Sequence, residues 1–296
     1  LLCTIIIQAF CTEELSSGKA SKSRYTSKII AISSFMNNTA VLMEDGTVWA
    51  WGDNSYEQLG LGAEVKYSFE PVQVERFSQI VSIAVGNGYI LAVRSDGTVW
   101  GIGNNASSII SVSKVDKSIE KAALVSGLKN IKAVAAGYSY AMAVDADGSV
   151  YIWGDYPNKL SDSKINHYLK VRELTGIRAV SAAKYNSYAI NTDGEAWSCR
   201  GSYNRPTRVS NADYIVKIID STQYTYMIDD EGDVSYWAIN TNDTKKLSGV
   251  QNIIDICNTS RDAVLALDRE GHVWKWDDKD LKPQRLDFIN NVAGIS

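Results

Sequence analysis

An acidic residue followed by glycine recurs six times in this chain, each time ahead of a strand-like run. The pairs are Asp45-Gly46, Asp96-Gly97, Asp147-Gly148, Asp193-Gly194, Glu231-Gly232 and Glu270-Gly271, with glycines 51, 51, 46, 38 and 39 residues apart. Asp-Gly between two β-rich runs marks a hairpin, because glycine accepts the positive φ of a tight turn. A period of this length implies a stack of equivalent small units rather than one irregular core.

Counting from each glycine extends the pattern. Positions +3 and +5 hold Trp49/Trp51, Trp100/Ile102, Tyr151/Trp153, Trp197/Cys199, Ser235/Trp237 and Trp274/Trp276, which takes in all 8 tryptophans. Two residues apart on a strand means one face, so each unit offers a bulky stripe to a neighbour. Position +2, on the other face, is Val48, Val99, Val150, Ala196, Val234 and Val273. Position −4 reads Leu42, Val93, Val144, Ile190, Ile228 and Leu267; position −17 is isoleucine every time, from Ile29 to Ile254; position −14 is apolar, from Ile32 to Cys257. A weaker fourth strand follows, as in Pro71-Val72-Gln73-Val74 and Pro206-Thr207-Arg208-Val209, where proline suits an outer edge. Each unit is thus four short antiparallel strands, A to D. One such sheet cannot bury both faces alone, whereas radial stacking can. The expected fold is an all-β propeller of four-stranded antiparallel blades.

After the sixth unit, Val292 and Ile295 match positions −17 and −14 of another. The expectation is six full repeats plus the first strand of a seventh, in a protein that is seven-bladed at full length. The alternative is that this strand simply closes a six-unit ring. Thr12 to Lys28 is too polar to supply missing strands.

The run Leu42-Met43-Glu44-Asp45-Gly46-Thr47-Val48-Trp49-Ala50-Trp51-Gly52-Asp53-Asn54-Ser55-Tyr56-Glu57-Gln58-Leu59-Gly60-Leu61-Gly62 resembles the repeat of the regulator of chromosome condensation family, in a bacterial form. The resemblance covers residues 28–296 and weakens after the third repeat. It implies a seven-bladed propeller that acts mainly by binding proteins. Some members are nucleotide exchange factors for small GTPases, and a secreted bacterial relative inhibits β-lactamases. The family often places His at position −8, where this chain has Asn38, Tyr89, Tyr140, Asn186, Tyr224 and Ala263. Glu57 also stands where the family has glycine, so exchange-factor activity is not carried over.

Charge and composition narrow the function. Net charge is −4, without the clustered basic face that nucleic acid requires, so no nucleic-acid partner is expected. The apolar run Leu1 to Cys11 is too short to span a bilayer but fits the core of an export signal. Residues 1–27 are therefore read as an export signal or lipid-anchor remnant with a polar linker, and the protein as an extracytoplasmic monomer that meets a membrane only through that anchor. Cys3, Cys11, Cys199 and Cys257 lack metal or redox spacing, and the last two occupy apolar slots of the repeat. His167 and His272 lie in no triad-like motif, Asp145-Ala146-Asp147-Gly148 lacks the further ligands of a calcium loop, and Asp277, Asp278 and Asp280 read as a solvated loop. No catalytic residue, metal or cofactor is expected.

The loops remain. In an up-and-down meander the A–B and C–D connections emerge on one face. From position +6 to the next −17 there are 28, 28 and 23 residues in the first three repeats, but 15, 16 and 15 afterwards. That face carries Tyr56, Glu57, Tyr89, Asn104, Tyr138, Tyr140, Tyr156, Tyr185, Tyr203 and Tyr224. Tyrosine gives contact area at low entropy cost, so these ten are the candidate partner-binding residues. The reading is a non-catalytic scaffold for a protein partner. A carbohydrate- or cell-surface-binding propeller is the alternative, and a propeller lyase or hydrolase the third.

Overall fold

The computed structural model is described for residues 5–7, 27–111, 117–155, 168–183, 186–199, 206–238, 243–258, 263–289 and 291–296. These residues form six four-stranded antiparallel sheets and one two-stranded sheet. Each four-stranded sheet is one repeat, with spatial order equal to sequence order. The blades begin at Ile29, Ile80, Ile131, Ile177, Ile215 and Ile253, and end at Gln73, Leu124, Lys170, Arg208, Lys246 and Arg285.

The acidic-Gly pair is the B–C turn in every blade, and its glycine has φ between +74° and +89°. Its carbonyl also ties the ring together. It accepts the N–H of the residue that opens the next strand A: Ile80 to Gly46 and Ile131 to Gly97 at 3.0 Å, and so on to Val292 and Gly271 at 3.2 Å. A Cβ on Gly97 would lie 2.7 Å from Asn130 Cα. Glycine is therefore required twice, for the turn and for the approach of the neighbouring blade.

Positions −4 and +2 are directly paired across the B and C strands, as Leu42 with Val48 and Val93 with Val99. All twelve side chains are buried. They face the next blade: Leu42 and Val48 join Ile80, Ile90 and Ile102 of blade two in one cluster. Equivalent layers lie between each later pair, and the last joins Leu267 and Val273 to Val292 and Ile295. Burial at about 25 cal/mol per Å² makes these layers the main source of stability. Cys199 and Cys257 are both buried within them, Cys199 in its expected repeat slot.

Two expectations are corrected. In blade six the repeat slips by one residue: Ile253 pairs with Asp268 and is buried, whereas Ile254 is exposed. Ile256, not Cys257, then holds the place of Ile32 in blade one, because a one-residue shift exchanges the two faces of a strand. The +5 stripe also has an exception. Ile102, Trp153, Cys199, Trp237 and Trp276 are buried against the preceding blade, but Trp51 is only half-buried. Its preceding sheet is the two-stranded one, which lacks strands C and D among the described residues.

That sheet pairs Val292–Ile295 with Ile5–Ile7, inside the segment assigned to an export signal. The pairs Ile7 with Val292, Ile6 with Gly294 and Ile5 with Ile295 repeat the register of Met43 with Ile29, Leu42 with Ala31 and Val41 with Ile32. The shared irregularity puts Ile5–Ile7 in the place of a strand B. The Ser34 and Ser296 hydroxyls, 3.0 Å apart, join blade one to this seventh position.

Candidate functional site

The face formed by A–B and C–D connections is organised by buried amides. In blade one, Asn54 Nδ2 donates to Gly62 O at 3.1 Å and Val65 O at 2.6 Å, while Oδ1 accepts the Leu59 N–H at 2.8 Å. Asn105, eight residues after its own hairpin glycine like Asn54, accepts the Ile110 and Ser111 N–H groups. Gln58 donates to Asn38 Oδ1 at 3.0 Å and accepts the Tyr56 N–H at 2.9 Å. Asn54, Gln58 and Asn105 are buried, so their bonds form away from competing water and fix residues 54–65 and 105–111. The added chain length lies in these C–D connections, residues 54–66, 105–117 and 155–167, against 278–283 in blade six.

The sequence-selected residues divide. Tyr56 is 42% exposed, with its ring over Gly88 in the A–B turn of blade two. Tyr138, in the A–B turn of blade three, is 39% exposed. Glu57 and Asn104 are half-buried, and Asn104 Nδ2 donates to Asn87 O at 3.2 Å. Tyr224 is half-buried, edge-on to Tyr226 and Tyr236. Tyr156, Tyr185, Tyr203 and His167 lie outside the described residues.

Tyr89 and Tyr140 correct the expectation, since both are buried. Tyr89 Oη donates to Tyr140 O at 2.8 Å and lies 3.0 Å from Gly137 O; Tyr140 Oη donates to Asn186 O at 2.7 Å. Tyr89 and Tyr140, both at position −8, thus bolt blades two and three to the blades that follow. Burial pushes the Tyr89 hydroxyl well above its usual pKa, which keeps it a neutral donor.

Two buried carboxylates do the same work further round the ring. Asp220 accepts from Asn186 Nδ2 at 2.7 Å, Tyr188 Oη at 2.9 Å and Thr225 Oγ1 at 2.6 Å. Asp278 accepts from Tyr226 Oη at 2.8 Å and from the Gln223 N–H at 3.0 Å. Asp278 is buried, not part of a solvated loop, and nothing local distinguishes it from exposed Asp277. Burial, and then the bond to Asp278, raise the Tyr226 hydroxyl far above its ordinary range.

The hairpin face is made of turns that consume their own acids. Asp96 Oδ1 accepts the Thr98 hydroxyl at 2.6 Å and its N–H at 2.9 Å, which lowers the Asp96 pKa. Asp145 accepts the Asp147 and Ser149 N–H groups and the Tyr151 hydroxyl. Asp268, Glu270 and His272 are the group of clustered metal-type ligands among the described residues. Asp268 there accepts the Glu270 and His272 N–H groups and Trp274 Nε1, the same turn as in blade three.

The profile of the regulator of chromosome condensation (RCC1) repeat matches residues 45–93, and a second profile of that repeat matches 80–108 and 131–158. The chain is an RCC1-like repeat protein. It is 24% identical over 272 residues to the regulator of chromosome condensation of Xenopus laevis, covering 78% of this chain and 64% of that protein. With the ultraviolet-B receptor UVR8 of Arabidopsis thaliana it shares 25% over 226 residues, 69% of this chain and 51% of the receptor. With the human probable E3 ubiquitin-protein ligase HERC6 it shares 31% over 134 residues, 43% of this chain and 13% of the ligase. The match thus spans less than two thirds of each of these relatives. Among solved structures, Prp20p of Saccharomyces cerevisiae superposes with a TM-score of 0.74 at 17% identity, covering 90% of this chain and 78% of that one. Human WBSCR16 gives 0.72 at 16%, covering 88% and 82%. These likenesses are of fold. These relatives are eukaryotic.

The departures from the RCC1 repeat now have a geometry. Glu57, in the glycine slot, keeps a left-handed φ of +62°, and Ser108 does the same in blade two at +53°. The loop shape survives without glycine, at a cost of about 1–2 kcal/mol per residue. The −8 slot, often His in RCC1 repeats, holds tyrosines in blades two and three whose hydroxyls reach the next blade.

Proposed function

We propose that this RCC1-like ring is a non-catalytic scaffold that binds a protein partner through its A–B and C–D face, weighted toward blades one to three. The observation that carries this is the long C–D loop of blade one held by buried Asn54, and residues 105–111 of the blade-two loop held by buried Asn105, with Tyr56 displayed on the first. Loops ordered in advance lose little entropy on binding, and Tyr56, Tyr138, Asn104 and Glu57 supply area and hydrogen bonds. Protein binding by similar rings supports the reading: one solved structure is named for the binding of Prp20p to Gsp1p and histones, another for Kap60 bound to yeast RCC1.

The ring is part of the proposal. Two outer strands complete the seventh position in the full protein, covering Trp51 as Trp153 is covered. Ring closure and export compete for the same residues, because cleavage behind Cys11 would remove Ile5–Ile7. The proposal takes ring closure, on the register shared with strand B, and the N-terminal mass of the protein from its source decides between them.

Photo-crosslinking residues placed at Tyr56 and Tyr138 test the face against controls at Thr47 and Thr98 on the hairpin side. Crosslinks to one partner from the first pair alone are expected. Crosslinks from the hairpin side alone would move the working surface to the opposite end of the ring.

A further inference from the structure

We infer that the loop and outer strand of blade one, from Tyr56 to Phe69, dock an extended basic segment of a partner protein that also carries apolar side chains. This rests on the scaffold reading and names the chemistry of its partner. Tyr56, Leu61, Val65, Tyr67 and Phe69 are all exposed within this one stretch, whereas the other exposed large apolar side chains lie scattered around the ring. A contiguous exposed apolar patch marks a contact surface, and scattered single residues do not.

Phe69 is decisive. It is 87% exposed, and its ring centroid lies 4.5 Å from that of Tyr67. Both sit beside an irregularity in the pairing of strands C and D between Ala50 and Gly52. Blade two has the same irregularity between Gly101 and Gly103, and there the place of Phe69 is taken by exposed Glu120. Blade one stands in full before blade two, so the exposure of this place does not come from the short seventh sheet. The fold accepts a charge at this position, and the aromatic ring in blade one packs on Tyr67 while staying open to solvent. A bulge is a usual way to aim a side chain outward.

The charges select the partner. Asp53, Glu57, Glu64 and Glu70 fall in the same stretch of chain as the aromatic pair, residues 53–70, where Lys66 is the single basic residue. Glu57 and Glu64 form no ion pair among the described residues. An acidic partner would meet like charge as water leaves, and a neutral one would leave carboxylates desolvated and unpaired. Lysine or arginine alternating with aliphatic or aromatic residues satisfies both parts of the surface. Asn54 and Gln58 already hold the loop in shape, so the partner segment carries most of the ordering cost.

The probes are two short fluorescein-labelled peptides, one alternating Lys and Val and the other Glu and Val, titrated with the protein by anisotropy at low and physiological salt. Saturable, salt-weakened binding of the Lys peptide alone is expected. Phe69→Ser and the double variant Glu57→Gln, Glu64→Gln should each weaken it at least about fivefold, the scale of an interface anchor, with unchanged thermal unfolding. No saturable binding of the Lys peptide, equal binding of the Glu peptide, or unchanged affinity in both variants would overturn the inference. Tyr138→Ala and Asn104→Ala separate it from the scaffold reading. A partner protein that depends on these two and not on Phe69 leaves the scaffold standing and removes blade one; independence from all of them removes both.

Discussion

Replacing a C–D loop glycine and a hairpin glycine by alanine separates two demands that the fold places on the hairpin residue. Gly62 has φ +77° with nothing within 4 Å of an added Cβ. Gly97 has φ +80° and would bring that Cβ within 2.7 Å of Asn130 Cα and 3.0 Å of its nitrogen, which is backbone of the next blade. A left-handed conformation costs an L-residue about 1–2 kcal/mol. Loss of unfolded-chain freedom returns about 0.4–1 kcal/mol. Gly62→Ala should therefore lower stability by only about 0.5–1 kcal/mol. Gly97→Ala adds an overpacking cost of about 1–3 kcal/mol, for a total near 2–4 kcal/mol. At roughly 2–4 °C per kcal/mol, calorimetry should resolve the two variants clearly. The hairpin series should also rank by clearance: Gly194, 2.5 Å from Tyr214 Cα, suffers most, and Gly271, 3.3 Å from Asn291 Cα, least. Equal losses for Gly62→Ala and Gly97→Ala would refute the account, because the blade contact would then contribute nothing.

Trp153→Ala should cost about 3–5 kcal/mol in urea unfolding, while half-buried Trp51→Ala costs roughly half as much; the difference follows from Trp153 Nε1 donating to Ile109 O at 2.7 Å under a complete neighbouring blade. Asp278→Ala leaves the Tyr226 hydroxyl and the Gln223 N–H without their acceptor, and should destabilise by about 2–4 kcal/mol by the same measurement. The Asp96 carboxyl is held below its usual pKa by the Thr98 hydroxyl and then the Thr98 N–H, so its contribution is present above the ordinary aspartate value of about 3.9 and lost as pH falls below it. Thermal melts of Thr98→Val should accordingly fall short of the parent at neutral pH and converge with it in acid. Burial pushes the Cys199 thiol up to about 12, so a thiol reagent at mildly alkaline pH should label it only at the rate of global unfolding.

Much of the fold was legible because a propeller repeats its physical problem. Six equivalent environments forced the same answer at positions −4, +2 and the hairpin glycine, and counting recovered them. The loop face was legible as an address, since chain length in the C–D connections is countable. Individual tyrosines on it were not. Tyr56 and Tyr138 are exposed, while Tyr89 and Tyr140 are buried. Tyr89 and Tyr140 share position −8 and the exposed pair do not, but what that slot meets is a carbonyl of the next blade, which no residue near it in the sequence reveals.

The periodic hairpins, the B–C pairing of positions −4 and +2 and the all-β class were determined by the order of residues alone, because each depends on neighbours within one sheet. Only the tertiary structure decided what depends on the adjoining sheet. It set the slip that buries Ile253 in place of Ile254, and gave Asp278 its role between blades five and six. It left Trp51 half-covered beside a two-stranded neighbour, and put Ile5–Ile7 in the place of a strand B. In each case the side chain meets a partner dozens or hundreds of residues away, and that distance closes only when the ring does.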